Sequence, residues 1–549
     1  MLLQYRMLRA IGVKNMKRIL SFVLLITITA MLFAGCGGSA DNKTEETTAP
    51  VPVTNLPKPD MAKWKHMEDA DIYYQTGIAY CETPADESYE QLAVFVPGKY
   101  MDVTDNGDGT FTCALNESAE LGGFTALNAP IAMQIYTPGY AAAEAFPEEM
   151  LEQNTPLTED IANITSKGVV FVCPGCRGIN EGAPSGVTDL KAAIRYLRYA
   201  DDALAGDSES IFAFGTSGGG AQAAILGASG DSKLYDPYLE AIGAVQGVSD
   251  SIKGAMAWCP VTSLNTANAE YEWMMGCTRK GITEDRKAIS DGLATAYAEY
   301  VNSAGFTDEN GKALTLTESE DGIYQAGSYY DYVKSVIEGS LNNYLSDTNF
   351  KNSSPQEYID ELNADKKWIT YDESTNTATI TSIADFAQNC KPASEGMVAF
   401  DWPNSYNTLF GYGDGKGAHC DSTLAGVLNS LNSEYAAEYN EALAKTDSFG
   451  NSVEKRVQMY SPLYYLMKSE EGYGSANVAK YWRIRSGIEQ QTNSLTTEIN
   501  LALALESCDG VESVDFETVW AQNHTEAERT GESTDNFLEW ISSCMKGSK

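Results

Sequence analysis

Ser217 is the residue whose neighbours best equip it for chemistry. It lies in Gly215-Thr216-Ser217-Gly218-Gly219, a G-x-S-x-G pattern. The apolar run Ile211-Phe212-Ala213-Phe214 precedes it, and Ala221-Gln222-Ala223-Ala224-Ile225-Leu226 follows. The first has strand composition and the second is a good helix former. A serine on the sharp turn between strand and helix projects its hydroxyl beyond the sheet, as a nucleophile must. The flanking glycines let strand and helix approach closely. The amides that open the helix favour developing negative charge, so the Gly218 N–H is a candidate oxyanion donor. A serine nucleophile needs a base. The chain has three histidines, His66, His419 and His524. His524 follows the last strand-like segment, where the order nucleophile, acid, base places the base.

The elements that must position these residues alternate strand and helix, the pattern of a mostly parallel sheet. Residues 92–97, 131–136, 168–172, 210–214, 254–261, 481–485 and 514–520 read as strands. The segment 189–197 reads as a helix with Leu190, Ala193, Ile194 and Leu197 on one stripe. Residues 100–114 read as a hairpin around Asp105-Asn106-Gly107-Asp108-Gly109. Its carboxylates lack the alternate spacing and closing Glu of a calcium loop. The strand at 131–136 ends in Thr137-Pro138-Gly139-Tyr140, and an amide from Gly139 or Tyr140 is the second candidate oxyanion donor. The alternation stops over residues 263–479, which contain a hairpin at 368–381. So long an interruption reads as an insertion over the carboxyl edge of the sheet, a lid or substrate domain. The organisation is therefore a core in two parts, 61–262 and 480–549, around the inserted 263–479.

The chain has 549 residues, 43% of them hydrophobic, and a formal net charge of −38. That is globular composition, and the charge disfavours nucleic acid as a partner. Residues 1–35 read as a secretory signal: Met16-Lys17-Arg18, an apolar run from Ile19, then Leu32-Phe33-Ala34-Gly35-Cys36. The last five residues resemble a bacterial lipobox, which implies lipid on Cys36 and retention at the outer face of the cytoplasmic membrane. Residues 36–60 are rich in Ser, Thr, Pro and Glu and read as a disordered tether. Of eleven cysteines, Cys173 and Cys176 have C-x-x-C spacing, but no second pair completes a zinc site. The Cys173 end reads as a strand terminus. No cofactor or metal is expected.

The order and spacing of these segments resemble the α/β-hydrolase fold, and within it the bacterial tannase and feruloyl-esterase-like branch. The matching stretches are Thr137-Pro138-Gly139-Tyr140, residues 174–182, 189–199 and 215–230, Trp258-Cys259-Pro260-Val261-Thr262, Tyr271-Glu272-Trp273-Met274, and residues 481–487 and 520–524. The resemblance implies an α/β-hydrolase sheet with a large inserted lid domain. It also implies hydrolysis of small carboxylic esters, often of phenolic acids, by a Ser-His-acid triad. Fungal-type relatives carry bridged cysteines beside the serine and the histidine; here those neighbours are Thr216 and Thr525. The family's acid is an aspartate in the loop after the strand at 481–485. Here that loop is Ser486-Gly487-Ile488-Glu489-Gln490-Gln491-Thr492-Asn493. Gln490 and Thr492 stand where aspartates are expected, so Glu489 is the expected acid, with Gln490, Asp401 and Asp515 as rivals. Two other readings stay open. The missing aspartate suits a non-catalytic surface binding lipoprotein, and the same machinery serves a serine peptidase.

Overall fold

The computed structural model describes residues 51–151, 155–350, 353–394, 405–412 and 416–547. Its centre is a nine-stranded sheet of β1 (Lys65–Met67), β2 (Ile72–Ala79), β3 (Gln91–Pro97), β4 (Ile131–Ile135), β5 (Val170–Pro174), β6 (Ile211–Thr216), β7 (Gly254–Trp258), β8 (Tyr481–Gly487) and β9 (Ser513–Val519). The order across the sheet is β1-β2-β3-β5-β4-β6-β7-β8-β9. Neighbours from β5 to β9 run parallel. The pairings that add β1, β2 and β3 at one edge are antiparallel.

Both faces of the sheet are covered, so its central strands are apolar throughout rather than alternating. The helices used below are α1 (Pro156–Ser166), α2 (Ser185–Tyr199), α3 (Gly218–Ala228), α4 (Ala267–Met275), α5 (Leu495–Glu506) and α6 (Ser533–Gly547). On β6, Ile211 and Ala213 join the core shared with α2, α3 and α5. Phe212 and Phe214 face the other way, onto α1 and α6. There Phe212 meets Trp540 at 5.4 Å and Phe214 meets Phe537 at 4.5 Å between ring centroids. This period of two is the strand geometry that the sequence run implied.

The segment 263–479 is largely helical, with the expected hairpin at Ile369–Asp372 and Thr377–Ile380. Several of its contacts are with the carboxyl ends of strands and the loops that follow them. Ser340 Oγ donates to the Thr518 carbonyl at 2.7 Å, and Trp520 Nε1 donates to the Tyr358 hydroxyl at 2.8 Å. Ala183 N donates to the Leu409 carbonyl at 2.7 Å. The end of the segment is different. The helix Pro462–Leu466 packs on α3, and Asn477 N and Ala479 N each donate at 2.7 Å to the Gly230 and Gly227 carbonyls. Residues 462–479 are thus a layer of the core, held there by the buried Leu463, Tyr464, Tyr465 and Leu466.

The expected signal segment and Cys36 lie outside the described residues. The expectation of a disordered tether through residue 60 is corrected over 51–60. Val53 and Gln246 exchange backbone hydrogen bonds at 2.9 and 3.1 Å, Leu56 is buried, and Thr54 and Asn55 bond the Glu82 carboxylate. Polar composition did not prevent this stretch from lying against the body, because backbone pairing and one buried leucine suffice. The thiols of Cys173 and Cys176 are free and buried. Burial pushes the Cys173 thiol up to about 12, so it is inert near neutrality.

The loop after β9 is fixed by buried charge. Arg483 on β8 donates from both terminal nitrogens to Glu528, each at 2.6 Å, and Trp258 Nε1 adds a third bond at 3.0 Å. Both members of the ion pair are 6% exposed. Removing the Glu528 charge leaves the buried Arg483 with only the part-exposed Asp515, 3.3 Å from its Nε. Glu528→Gln is therefore expected to lower the free energy of unfolding by about 3 kcal/mol in urea titration. A loss below ~1 kcal/mol, the range of exposed pairs, would contradict this assignment.

Candidate active site

Ser217 sits between β6 and α3 with φ 61° and ψ −119°, in the left-handed half of backbone space. A non-glycine residue held there is strained, and such strain is typical of a nucleophile presented on a turn. Two glycines make the turn possible. A Cβ at Gly219 would come within 2.2 Å of the Ile135 carbonyl oxygen. One at Gly218 would come within 2.4 Å of the Thr137 carbonyl oxygen and 2.6 Å of Tyr140 N. The first turn of α3 is thereby pressed against the end of β4. The Ser217 N–H donates to the Trp258 carbonyl at 2.9 Å, which ties the turn to β7 as well.

The two candidate oxyanion donors are brought together by this packing. Gly218 opens α3, and its N–H has no acceptor within the helix. A Cβ on it would lie 3.3 Å from Gly139 N. The Tyr140 N–H is already committed, donating to the Thr137 carbonyl at 2.9 Å. Of the two loop amides expected, Gly139 is the one left over. Tyr140 instead anchors the loop, its hydroxyl donating to the Val261 carbonyl.

Among the histidines, His66 stacks on Tyr73 at 4.3 Å and His419 on Tyr439 at 3.7 Å between centroids, both as packed rings. His524 is half-buried in the loop that Glu528 pins. The strand ends close around it. Thr216 Oγ1 donates to Glu526 at 3.1 Å, Cys259 Sγ donates to the Thr525 carbonyl at 3.3 Å, and Gly487 lies against the Asn523 carbonyl. The structure records no hydrogen bond between Ser217 and His524; resting nucleophile–base pairs are often loose until substrate binds.

The partner of the imidazole is Gln490, and the expectation of Glu489 is corrected. His524 Nδ1 donates to Gln490 Oε1 at 2.6 Å. The reason is local. Gln490 N donates to the Gly487 carbonyl and Glu489 N to the Gln522 carbonyl, so the chain turns here. That turn buries Gln490 and leaves Glu489 half exposed. Of the rivals, Asp401 lies outside the described residues. Asp515 is occupied by Arg485, with oxygens at 2.7 and 2.8 Å.

Sequence reasoning missed two residues. Glu498, on α5, accepts from Gln490 Nε2 at 2.5 Å, from Ser486 Oγ at 3.0 Å and from Asn493 Nδ2 at 3.1 Å. Lys391 is fully buried nearby, and its ammonium has no hydrogen-bond partner among the described residues. Burial pushes the Glu498 carboxyl up to about 7, against the pull of Lys391. Burial likewise lowers Lys391 to about 8. His524 is held below the usual histidine range by burial and then by the Lys391 charge, which favours the neutral ring a base requires. The signal for Glu498 was in the sequence. Leu495 to Leu505 is rich in Leu and Ala, and Glu498 is the one charge within it, a residue type that is seldom buried without a partner.

Contact with His524 singles out Gln490 among the residues of the turn. Gln490→Ala is expected to lower kcat about 100-fold or more, while Glu489→Gln changes it less than about threefold. Steady-state kinetics on an ester that the wild type hydrolyses distinguish the two, and equal losses would refute the assignment.

Residues 130–304, which contain Ser217, match the family model BD-FAE. Among curated proteins none matches the chain. Solved structures do. The tannin acyl hydrolase from Lactobacillus plantarum superposes with a TM-score of 0.69 at 24% identity, over 89% of this chain and 98% of that one. The Fusobacterium nucleatum tannase gives 0.68 at 25% identity, over 86% and 95%. A tannin acyl hydrolase in complex with ethyl gallate gives 0.68 at 25% identity, over 86% and 94%. The sheet, the turn at Ser217 and the inserted helical region thus make up a tannase-like α/β-hydrolase fold, and the stretch that matches the BD-FAE model contains Ser217.

Proposed function

We propose that this chain is a serine ester hydrolase acting on small carboxylic esters, with phenolic-acid esters as the favoured class. The observation that carries the reading is Ser217 in its strained turn, with Gly218 and Gly139 amides beside it and a ring-oriented His524 in the adjoining loop. The substrate class rests on the relatives: one is a tannin acyl hydrolase that holds ethyl gallate, and the matched family model is that of feruloyl and acetyl esterases.

In this reading Ser217 Oγ attacks the ester carbonyl while His524 Nε2 takes its proton. The Gln490 bond fixes the Nδ1–H tautomer, so the Nε2 lone pair faces outward. The carbonyl electron pair moves onto oxygen, between the Gly218 and Gly139 N–H groups. The tetrahedral intermediate collapses, the alcohol leaves with the proton from His524, and Ser217 keeps the acyl group. Water then repeats the sequence and releases the acid. A second reading, a non-catalytic binding protein, draws on one observation: the imidazole meets an amide rather than a carboxylate.

We also propose that the protein is exported and held by lipid on Cys36 at the outer face of a bacterial cytoplasmic membrane, on the strength of Leu32-Phe33-Ala34-Gly35-Cys36.

An ester panel of p-nitrophenyl acetate, methyl gallate and methyl ferulate tests the first proposal. Turnover of at least one ester is expected, falling by at least 10⁴-fold in Ser217→Ala. A fluorophosphonate probe is expected to label wild type and not Ser217→Ala. Inertness toward both panel and probe would favour the binding reading. For the anchor, detergent-phase partitioning and intact mass are expected to reveal lipid on wild type and none on Cys36→Ala; an aqueous, lipid-free wild type would rule it out.

A further inference from the structure

Burying a carboxylate without a task is expensive, and Glu498 is fully buried. Its Oε1 collects three hydrogen bonds from Gln490, Ser486 and Asn493, while Oε2 has no partner among the described residues. Ser494 caps α5 by accepting from Thr496 N, so Glu498 lies in the first turn, where the helix dipole favours negative charge. The amide of Gln490 has one orientation compatible with these neighbours. Its NH₂ faces an ionised carboxylate, which only accepts, so its oxygen faces the ring. A continuous chain of hydrogen bonds therefore runs from carboxylate through amide to imidazole.

We propose that Glu498 is a positioning residue for the esterase reaction: through the Gln490 amide its carboxylate holds His524 as the Nδ1–H tautomer and stabilises the imidazolium formed when Ser217 is deprotonated. The proposal rests on the ester-hydrolase reading above. In the three-residue arrangement the carboxylate touches the ring; here it stands one residue further back and acts through a polarised amide. No proton leaves Glu498 or Gln490 during the reaction. The amide oxygen accepts the Nδ1–H bond before and after the ring is charged, and the bond shortens as the charge develops.

The charged groups around Glu498 set its pH response. Lys391, from the inserted region, favours the ionised form, while Glu270 on α4 carries like charge toward it. The Cys259 thiol after β7 is pushed up by burial and stays neutral. Glu489 acts on Lys391 from the exposed side, and Lys391 in turn lowers His524. Activity needs Glu498 ionised and His524 neutral. Both conditions are met at high pH and lost as pH falls. Glu498, raised to about 7, sets the acid limb, because His524 lies below its usual 6.5.

The test uses the full chain, Glu498→Gln, and the exchanged pair Gln490→Glu/Glu498→Gln, which keeps one carboxylate and one amide in the same space. In Glu498→Gln the kcat plateau above pH 8 is expected to fall about 10–100-fold, with KM little changed. The acid limb is expected to move from near 7 to below 6.5. The exchanged pair is expected to recover at least about tenfold of that loss, because the carboxylate now bonds the ring directly. Histidine ¹⁵N NMR reads the same device without turnover, since the sequence holds only three histidines. The His524 midpoint is expected to fall in Glu498→Gln and to rise in the exchanged pair. An unmoved midpoint, or lost activity with an unmoved limb and no recovery in the exchanged pair, would overturn the relay. If Glu498→Gln does not fold, the exchanged pair decides by the same midpoint. Absence of Ser217-dependent turnover in wild type would count against the esterase reading alone, because the NMR arm stands apart from it.

Discussion

Everything at this site depends on how closely the first turn of α3 is pressed onto the end of β4. A Cβ at Gly218 or Gly219 would overlap the backbone of residues 135–140 by more than an ångström. The approach does three things at once. It forces Ser217 to φ 61°, which throws its side chain clear of the sheet. It sets the Gly218 N–H, which has no acceptor within α3, beside Gly139 N. It also places Ser217 N on the Trp258 carbonyl, so the strain is held from β7 as well as from β4. The candidate nucleophile and the candidate oxyanion donors thus share one origin, a backbone contact that no side chain can enter.

The candidate base, His524, comes from the opposite half of the sheet and is held by other physics. β9 is the edge strand on that side, so the loop carrying His524 has no strand beyond it to pack against. Buried charge replaces the missing neighbour. Arg483 grips Glu528, and Asn536 on α6 adds a bond to Glu528 at 3.0 Å. Such directional bonds fix a loop's position better than apolar packing does. That accuracy matters because base catalysis fails if the ring moves by an ångström.

Much of this was legible before the structure. The strands at 131–136, 254–261, 481–485 and 514–520 were readable from apolar runs, because a sheet covered on both faces leaves no polar alternation to confuse them. The turn at Ser217 and Gly218 and the loop at Gly139 were readable because tight backbone approach restricts residue type sharply. The acid was not. Deciding between Glu489 and Gln490 requires knowing which side of a single turn faces inward, and adjacent residues on a turn point to different sides. Residues 51–60 were misread for a related reason: polar composition reports solubility, not whether the backbone finds a partner. The layer at 462–479 went unrecognised because its apolar residues are equally consistent with a lid core.

The position of the inserted region explains why the carboxylate stands back from the ring. The insertion joins β7 to β8, so it leaves the core after β7 and returns ahead of the strand that leads to Gln490. Lys391 arrives from that insertion and is buried beside Glu498 and His524. A carboxylate bonded directly to the ring would raise the histidine, whereas a buried ammonium lowers it. With Gln490 between them, the direct bond to the ring is neutral and the carboxylate's charge is spent partly on Lys391. The net effect is a ring kept neutral at moderate pH. The amide therefore separates two tasks that one aspartate combines: it orients the ring through a bond, while Glu498 and Lys391 set the field in which the ring titrates. Such a site gives up some stabilisation of the imidazolium and gains a ring that titrates below the usual histidine range.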